Sequence, residues 1–322
     1  MRRLKKVASL FIICIVLALL SSCSLNSQPE NINKVGMLVE GSINDQSWGS
    51  KGYKGLLEIK EEFNVDVYFK EGITTQQQVN QAIEEFSNQG VNLVFGHSSI
   101  YGKMFKDIVN EYPDIHFVYF NGGYSDDNLT SLNFSSHAMG FFGGMVAGKM
   151  TETNQVGIIA SHEWQPEIEG FYEGVNYQNP EAEVKMEFVN SWDNTDRAIK
   201  LYKSLTKENV DVFYPAGDSF SVPIINRVRE AGLYAIGFIS NQSDLGENTV
   251  LTSTMQYVNR LYVQAAKDFE QGELEGGVFT FDFQDDVVEM GTFSPKVPES
   301  YVKELEKHIE NYKEDGLLPN ER

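Results

Sequence analysis

Two kinds of apolar pattern alternate along this chain. Short runs rich in branched and aromatic residues, VGMLV (35–39), VDVYF (65–69), LVFG (93–96) and HFVYF (116–120), read as strands. Between them lie longer segments, 48–62, 75–89 and 100–111, in which apolar residues recur at helical spacing. The series restarts at QVGIIA (155–160). It continues through a helix over 166–178, a strand over 183–189 and a helix over 194–207 to VDVFYPA (210–216). Continuous apolar strands alternating with helices predict parallel sheets covered on both faces. QGVNLVFGHSS (89–99) and ENVDVFYPAGDS (208–219) hold corresponding places, each a helix end, a strand and a Gly-containing loop with Ser. Two similar doubly wound α/β lobes are therefore expected, with a charged surface helix from 298 onward.

Ahead of the first strand the pattern changes. MRRLKK is basic, VASLFIICIVLALL is apolar and SSC is small, the order of a bacterial export signal. The apolar run is shorter than the roughly 20 residues of a spanning helix. Leu20–Ser21–Ser22–Cys23 also fits the lipoprotein pattern, so Cys23 is the expected lipidation site, and diacylation there gives a stable two-chain anchor. An uncleaved signal anchor of minimal length is the alternative, and both put the body outside the membrane. Residues 24–33, SLNSQPENIN, form a polar tether.

The chain has two cysteines, one in the signal and one at the lipid site, so the body has no thiol for disulfides, metal ligation or nucleophilic catalysis. What remains, roughly 300 residues, is enough for two domains with cores of their own. The full chain's formal charge of −20 falls further once the basic leader is removed. With no basic stripe to reverse that field locally, no direct nucleic-acid binding is expected.

In doubly wound sheets ligands sit beyond the carboxyl ends of the strands. Those ends are Glu40–Asn44, Gly96–Ser99, Asn121–Tyr124, Ser161–Trp164, Pro215–Phe220 and Phe238–Asn241, all rich in Gly, Ser, Asn and aromatic residues. Gly41 lets a ligand or the opposite lobe approach the backbone. Asn44 or Asp45 can cap the next helix, leaving other amides at its N-terminus for a polar ligand group. Trp48 lies one turn in, and Trp164 follows the first strand of the second lobe. Two indoles brought together by lobe closure would sandwich a flat ligand. Stacking contributes about 1–3 kcal/mol per base, a large share of the roughly 8 kcal/mol of micromolar binding. The alternatives are a Trp48 packed on a neighbouring helix and a Trp164 that seals the lobe interface.

Other motifs fall short of chemistry. GGMVAGKM (143–150) approaches a phosphate loop, but Met150 stands where the metal-holding hydroxyl belongs, and the segment reads as a helix whose small residues allow close packing. His162–Glu163 does not open a zinc motif because position 166 is proline, and the five histidines lack ligand spacing. His97 with Ser98, and Asp218 with Ser219, sit in no nucleophile elbow and read as donors lining a cleft or as plain loop residues. No catalytic residue, metal site or cofactor is expected.

The motif EGSINDQSW (40–48) resembles the basic membrane protein family, PnrA-type purine-nucleoside-binding lipoproteins of ABC importers. YPDIHF (112–117), GFFGGMVAGKM (140–150), VGIIA and QPEIEGFYEGV (within 156–175), IGF (236–238) and VLTS (250–253) carry the likeness across the whole body. It implies a type I periplasmic-binding fold with hinged lobes at 34–135 plus 255–278 and 136–254 plus 279–322, following a signal at 1–22 and a lipidated tether at 23–33. It also implies a planar, nucleoside-like ligand and an ABC permease partner. Trp48 stands where the family carries a stacking Phe. The strand-end reading and the resemblance together give the candidate ligand set Glu40, Gly41, Asn44, Asp45, Trp48, His97, Ser98, Asn121, Trp164, Gly217, Asp218, Asn241 and Gln256. Departures from the family pattern are Glu40 for an Asp, Ile239 and Asn241 for two sugar-reading acids, and Gln256 for a Lys. Each lost charge-assisted bond forfeits about 1.5–3 kcal/mol, which implies an altered pocket. WGSKGYKG (48–55), QSDLGENTVLTST (242–254) and VEMGTFSP (288–295) resemble a regulatory branch of the family that promotes competence gene expression. An indirect regulatory role with an altered or vestigial pocket is thus the second reading.

Overall fold

The computed structural model describes residues 31–45 and 47–322. The export signal, Cys23 and the tether up to residue 30 lie outside the described residues. The last residues expected in the tether are instead docked on the first lobe. Ile32 is buried in the core, Asn33 N donates to Asn92 Oδ1 at 2.9 Å, and Asn92 Nδ2 donates to Asn31 O at 2.9 Å.

The first lobe alternates β1 (Lys34–Leu38), α1 (Trp48–Phe63), β2 (Asp66–Lys70), α2 (Gln76–Asn88), β3 (Leu93–Gly96), α3 (Tyr101–Lys106), β4 (His116–Phe120) and β5 (Leu129–Phe134). The second runs α4 (Ser136–Met150), β6 (Gln155–Ala160), α5 (Pro166–Gln178), β7 (Glu183–Phe188), α6 (Thr195–Lys207), β8 (Val212–Ala216), α7 (Ser221–Glu230), β9 (Tyr234–Gly237) and β10 (Val250–Gln256). The chain then returns through α8 (Val258–Glu270) and β11 (Gly277–Phe281), and ends with β12 (Val288–Met290) and α9 (Glu299–Asp315).

Two six-stranded sheets result, ordered β11-β5-β4-β3-β1-β2 and β12-β10-β9-β8-β6-β7. Pairing is parallel throughout except where β12 runs antiparallel to β10. The chain crosses between the sheets after β5, after β10 and after β11. The lobe limits 255 and 278 fall inside β10, which belongs wholly to the second sheet, and inside β11, which belongs wholly to the first.

Helix 100–111 is shorter than its pattern predicts. α3 ends at Lys106 and a 3-10 turn covers Val109–Glu111. Ile108 leaves helical backbone at φ −121, and Ile108 and Val109 are both buried. Packing of two consecutive apolar side chains overrides continuation of the helix.

α4 is buried on nearly every side, consistent with its lack of a polar face. It lies against α5 at glycine contacts. A Cβ on Gly144 would stand 2.1 Å from Phe171 O, and one on Gly174 1.9 Å from Phe141 O. Segment 143–150 therefore works through its small residues, as its helical pattern predicts.

Candidate functional site

The carboxyl ends of both sheets meet near the N-terminus of α1. The loop entering α1 is held by two acids. Glu71 accepts from Ser42 Oγ at 2.8 Å and Ile43 N at 2.9 Å, and the Ile43 amide, ahead of Ser42, holds its pKa below the usual range. The carboxylate of Asp45, two residues ahead of the N-cap Ser47, serves the first-turn amides, accepting from the backbone N–H groups of Ser47, Gly49 and Ser50 at 2.9, 2.7 and 3.0 Å. Asn44 is exposed and does not cap; its N–H donates to Ser42 Oγ. The amides expected to await a ligand are thus largely engaged by Asp45.

Trp48 is half-buried, and its ring stacks on His97 at 4.7 Å and 14°, with Phe120 and Phe134 edge-on at 6.0 and 6.2 Å. Trp48 Nε1 donates to His97 O at 3.0 Å. In return His97 Nε2 lies 2.7 Å from Trp48 O, a carbonyl that can only accept. That fixes the tautomer, leaving Nδ1 to accept from the Tyr262 hydroxyl at 2.9 Å. Burial holds the imidazole neutral, with its pKa down at about 4. Both His97 nitrogens are therefore engaged inside the lobe, where they position Trp48. Gly52 permits this, since a Cβ there would lie 2.6 Å from the imidazole. Around them, Ser98 Oγ donates to the exposed Glu40 at 2.6 Å. Asn121 is exposed in the left-handed region at φ 59, and a Cβ at Gly41 would meet only open space.

The second lobe presents a different surface. Trp164 is 64% exposed. It stacks on His162 at 5.2 Å and 13°, and Trp192 stands across both rings, 5.9 Å and 72° from Trp164 and 5.4 Å and 67° from His162. Each predicted tryptophan thus stacks on a histidine of its own lobe rather than on the other. Trp192 belongs to the turn following β7, and the Ser219 N–H donates to its carbonyl at 3.2 Å, while Ser219 Oγ donates to Asp193 at 2.6 Å. Trp192 escaped the sequence reading; an indole inside the polar turn NSWDN (190–194) was the available signal.

Asp218 adjoins this corner and reaches the other lobe. Its Oδ1 accepts from Ser47 Oγ at 2.9 Å. Burial at the junction, with Asp45, Asp193 and Glu167 nearby, pushes its pKa up to about 7 despite the Ser47 bond. One turn along α1, Lys51 Nζ donates to Gln256 O at 2.9 Å, and burial lowers its pKa to about 8. Ser47 and Lys51, neither foreseen, thus span the lobes from one face of α1. Gly217 faces inward, where a Cβ would meet Phe220 at 2.1 Å and Ser161 Oγ at 2.5 Å. Gln256 is buried, donating to Ser136 Oγ at 2.9 Å, and the exposed Asn241 donates to Thr292 Oγ1 at 3.0 Å. Ile239 is buried at φ 48, a conformation that costs a branched residue roughly 1–2 kcal/mol. Among the described residues, no cluster of His, Cys, Asp or Glu is arranged to hold a metal ion.

The profile of the ABC transporter substrate-binding protein PnrA-like family matches residues 32–321. The chain belongs to that family. This PnrA-like protein is 49% identical over 313 residues to the transcriptional activator protein med of Bacillus subtilis (strain 168), covering 97% of this chain and 99% of the relative. The crystal structure of a transcriptional activator of the comK gene from Bacillus halodurans superposes with a TM-score of 0.83 at 45% identity, covering 89% of this chain and 100% of that one. A purine-binding protein of Brucella abortus (strain 2308) is 24% identical over 290 residues, covering 88% of this chain and 82% of that protein. The two lobes of this PnrA-like chain have the type I periplasmic-binding fold. No helix among the described residues is long and apolar enough to cross a membrane.

Proposed function

We propose that this PnrA-like protein is a non-enzymatic binding protein, anchored through lipidated Cys23 on the outer face of the cell membrane. It closes its lobes over a planar, nucleoside-like molecule for an ABC permease. The observation that carries this reading is the open face of Trp164 at the carboxyl edge of the second sheet, beside the Ser47–Asp218 contact between lobes. The purine-binding relative and the family description support the ligand class. Trp48, braced by His97, contributes the first-lobe wall, and Glu40, Gly41, Asn44, Ser98, Asn121 and Asn241 the rim.

Calorimetry of the full-length protein in detergent, dialysed free of ligand, against a panel of purine nucleosides and bases tests it. Binding is expected, and Trp164→Ala weakens it by about five- to 150-fold, matching about 1–3 kcal/mol of stacking. Silence across the panel at millimolar concentrations contradicts the reading.

A second reading, an indirect positive regulator of competence genes, is favoured by the 49% identity to the med protein. The net charge of −20 opposes direct action on DNA. Deleting the gene is then expected to lower competence-gene output, and Cys23→Ala separates surface anchoring from that effect. Unchanged output in the deletion strain removes the regulatory reading.

A further inference from the structure

Resting on the ligand site proposed above, we infer that it selects a planar organic cation bearing hydroxyl groups, and that Trp192 and Asp193 set this preference. Three independent features converge. The first is geometric. Trp164 and Trp192 stand at 72° to one another with Trp164 open to solvent, so the two indoles make a corner. The negative face of an indole attracts a cation, and two rings at a steep angle hold one better than a single platform.

The second feature is charge. Glu163 and Asp193 flank the two tryptophans in sequence, and both are exposed. Asp193 is fixed by Ser219 Oγ at 2.6 Å, next to Asp218, and the charges acting on Asp218 are those of Asp45, Asp193 and Glu167. Among the described residues, none of these five carboxylates enters a salt bridge. Lys51, the cation nearest the lobe contact in sequence, is directed to Gln256 O, while His162 lies behind Trp164. Burial holds Asp218 and Glu167 toward their neutral forms, so the field at the aromatic corner comes chiefly from the exposed carboxylates of Glu163 and Asp193, and it favours a positive guest and repels phosphate or carboxylate.

The third feature is the rim that follows β9. Ile239 is buried and Asn241 is tied to Thr292, so the rim that remains offers neutral acceptors and donors suited to hydroxyls rather than ionic contacts.

Nicotinamide riboside, whose pyridinium is permanently charged, and its neutral dihydropyridine form share one sugar and separate charge from shape. Calorimetry on the full-length protein in detergent is expected to show the cation binding about tenfold tighter than the neutral form, the scale of a desolvated cation–π contact. Asp193→Asn, at an exposed position, and added salt should each shrink that ratio, and Trp192→Phe should shrink it while keeping an aromatic ring. Equal or tighter binding of the neutral form overturns the charge preference and leaves the ligand-site reading intact. A preference unmoved by both variants overturns the assignment to Trp192 and Asp193. Failure of both probes alongside failure of every neutral nucleoside overturns the site itself.

Discussion

Gly174→Ala lowers the unfolding free energy by about 3 kcal/mol, the upper range for forcing a methyl group into a packed core, and chemical denaturation measures it. The atom in the way is Phe141 O, a backbone oxygen 1.9 Å from the added Cβ, so no side-chain rotation relieves the clash. α4 and α5 would have to separate. Since Phe141 and its neighbours on α4 share one core cluster with residues of both lobes, the loss is global rather than local. Gly41→Ala is the matched control, because nothing lies within 4 Å of that site. It should change stability by less than about 0.5 kcal/mol.

Asp218 supplies the second large effect, one that depends on pH. Burial raises its pKa from 3.8 to about 7 in the closed arrangement, so that arrangement holds a proton which the opened or unfolded chain releases. The favourable contribution is complete below about pH 4 and is lost as pH rises through 7. Over that window the change is on the order of 4 kcal/mol. The imidazole of His97 works in the opposite sense. Its pKa is depressed from 6.5 to about 4, so it destabilises the fold as pH falls through that interval. The whole-protein profile is therefore composite, and the difference between wild type and Asp218→Asn isolates the aspartate. The variant is expected to be the more stable protein at pH 8, with the gap closing toward pH 4. A difference that is flat across that range would mean the carboxyl is not buried between the lobes.

Hydrophobic runs were readable where they were continuous. β3, β4 and β6 occupy the residues their apolar patterns predict, since strands buried on both faces leave no polar gaps. β5 and β10 were not readable. LTSLNF and VLTSTMQ are rich in hydroxyls, yet Thr130, Ser131, Thr252 and Thr254 are fully buried. Each donates to a backbone carbonyl, of Glu275, Gly122, Gly291 and Gly237 respectively. Partners that distant in sequence turn polar residues into interior ones, and a local pattern carries no trace of them.

The site divides in the same way. The exposed indole of Trp164 was legible as a residue at a strand end. The surroundings of Trp48 were not, because His97 reaches it from the end of β3 and is itself held by Tyr262 of α8. The elevated pKa of Asp218 depends on the opposite lobe, and its partner Ser47 resembles any other residue of a helix-opening turn. Short-range chemistry identified which loops meet, while the contacts between loops required the fold.

The most direct measurement is a crystal structure of the protein purified from its own cells with whatever it has retained. The account predicts a flat molecule against the open face of Trp164, with Trp192 beside it and Ser47 and Asp218 in contact across the closed lobes. Lobes shut on protein side chains alone, with Trp164 packed into the opposite lobe, would contradict it.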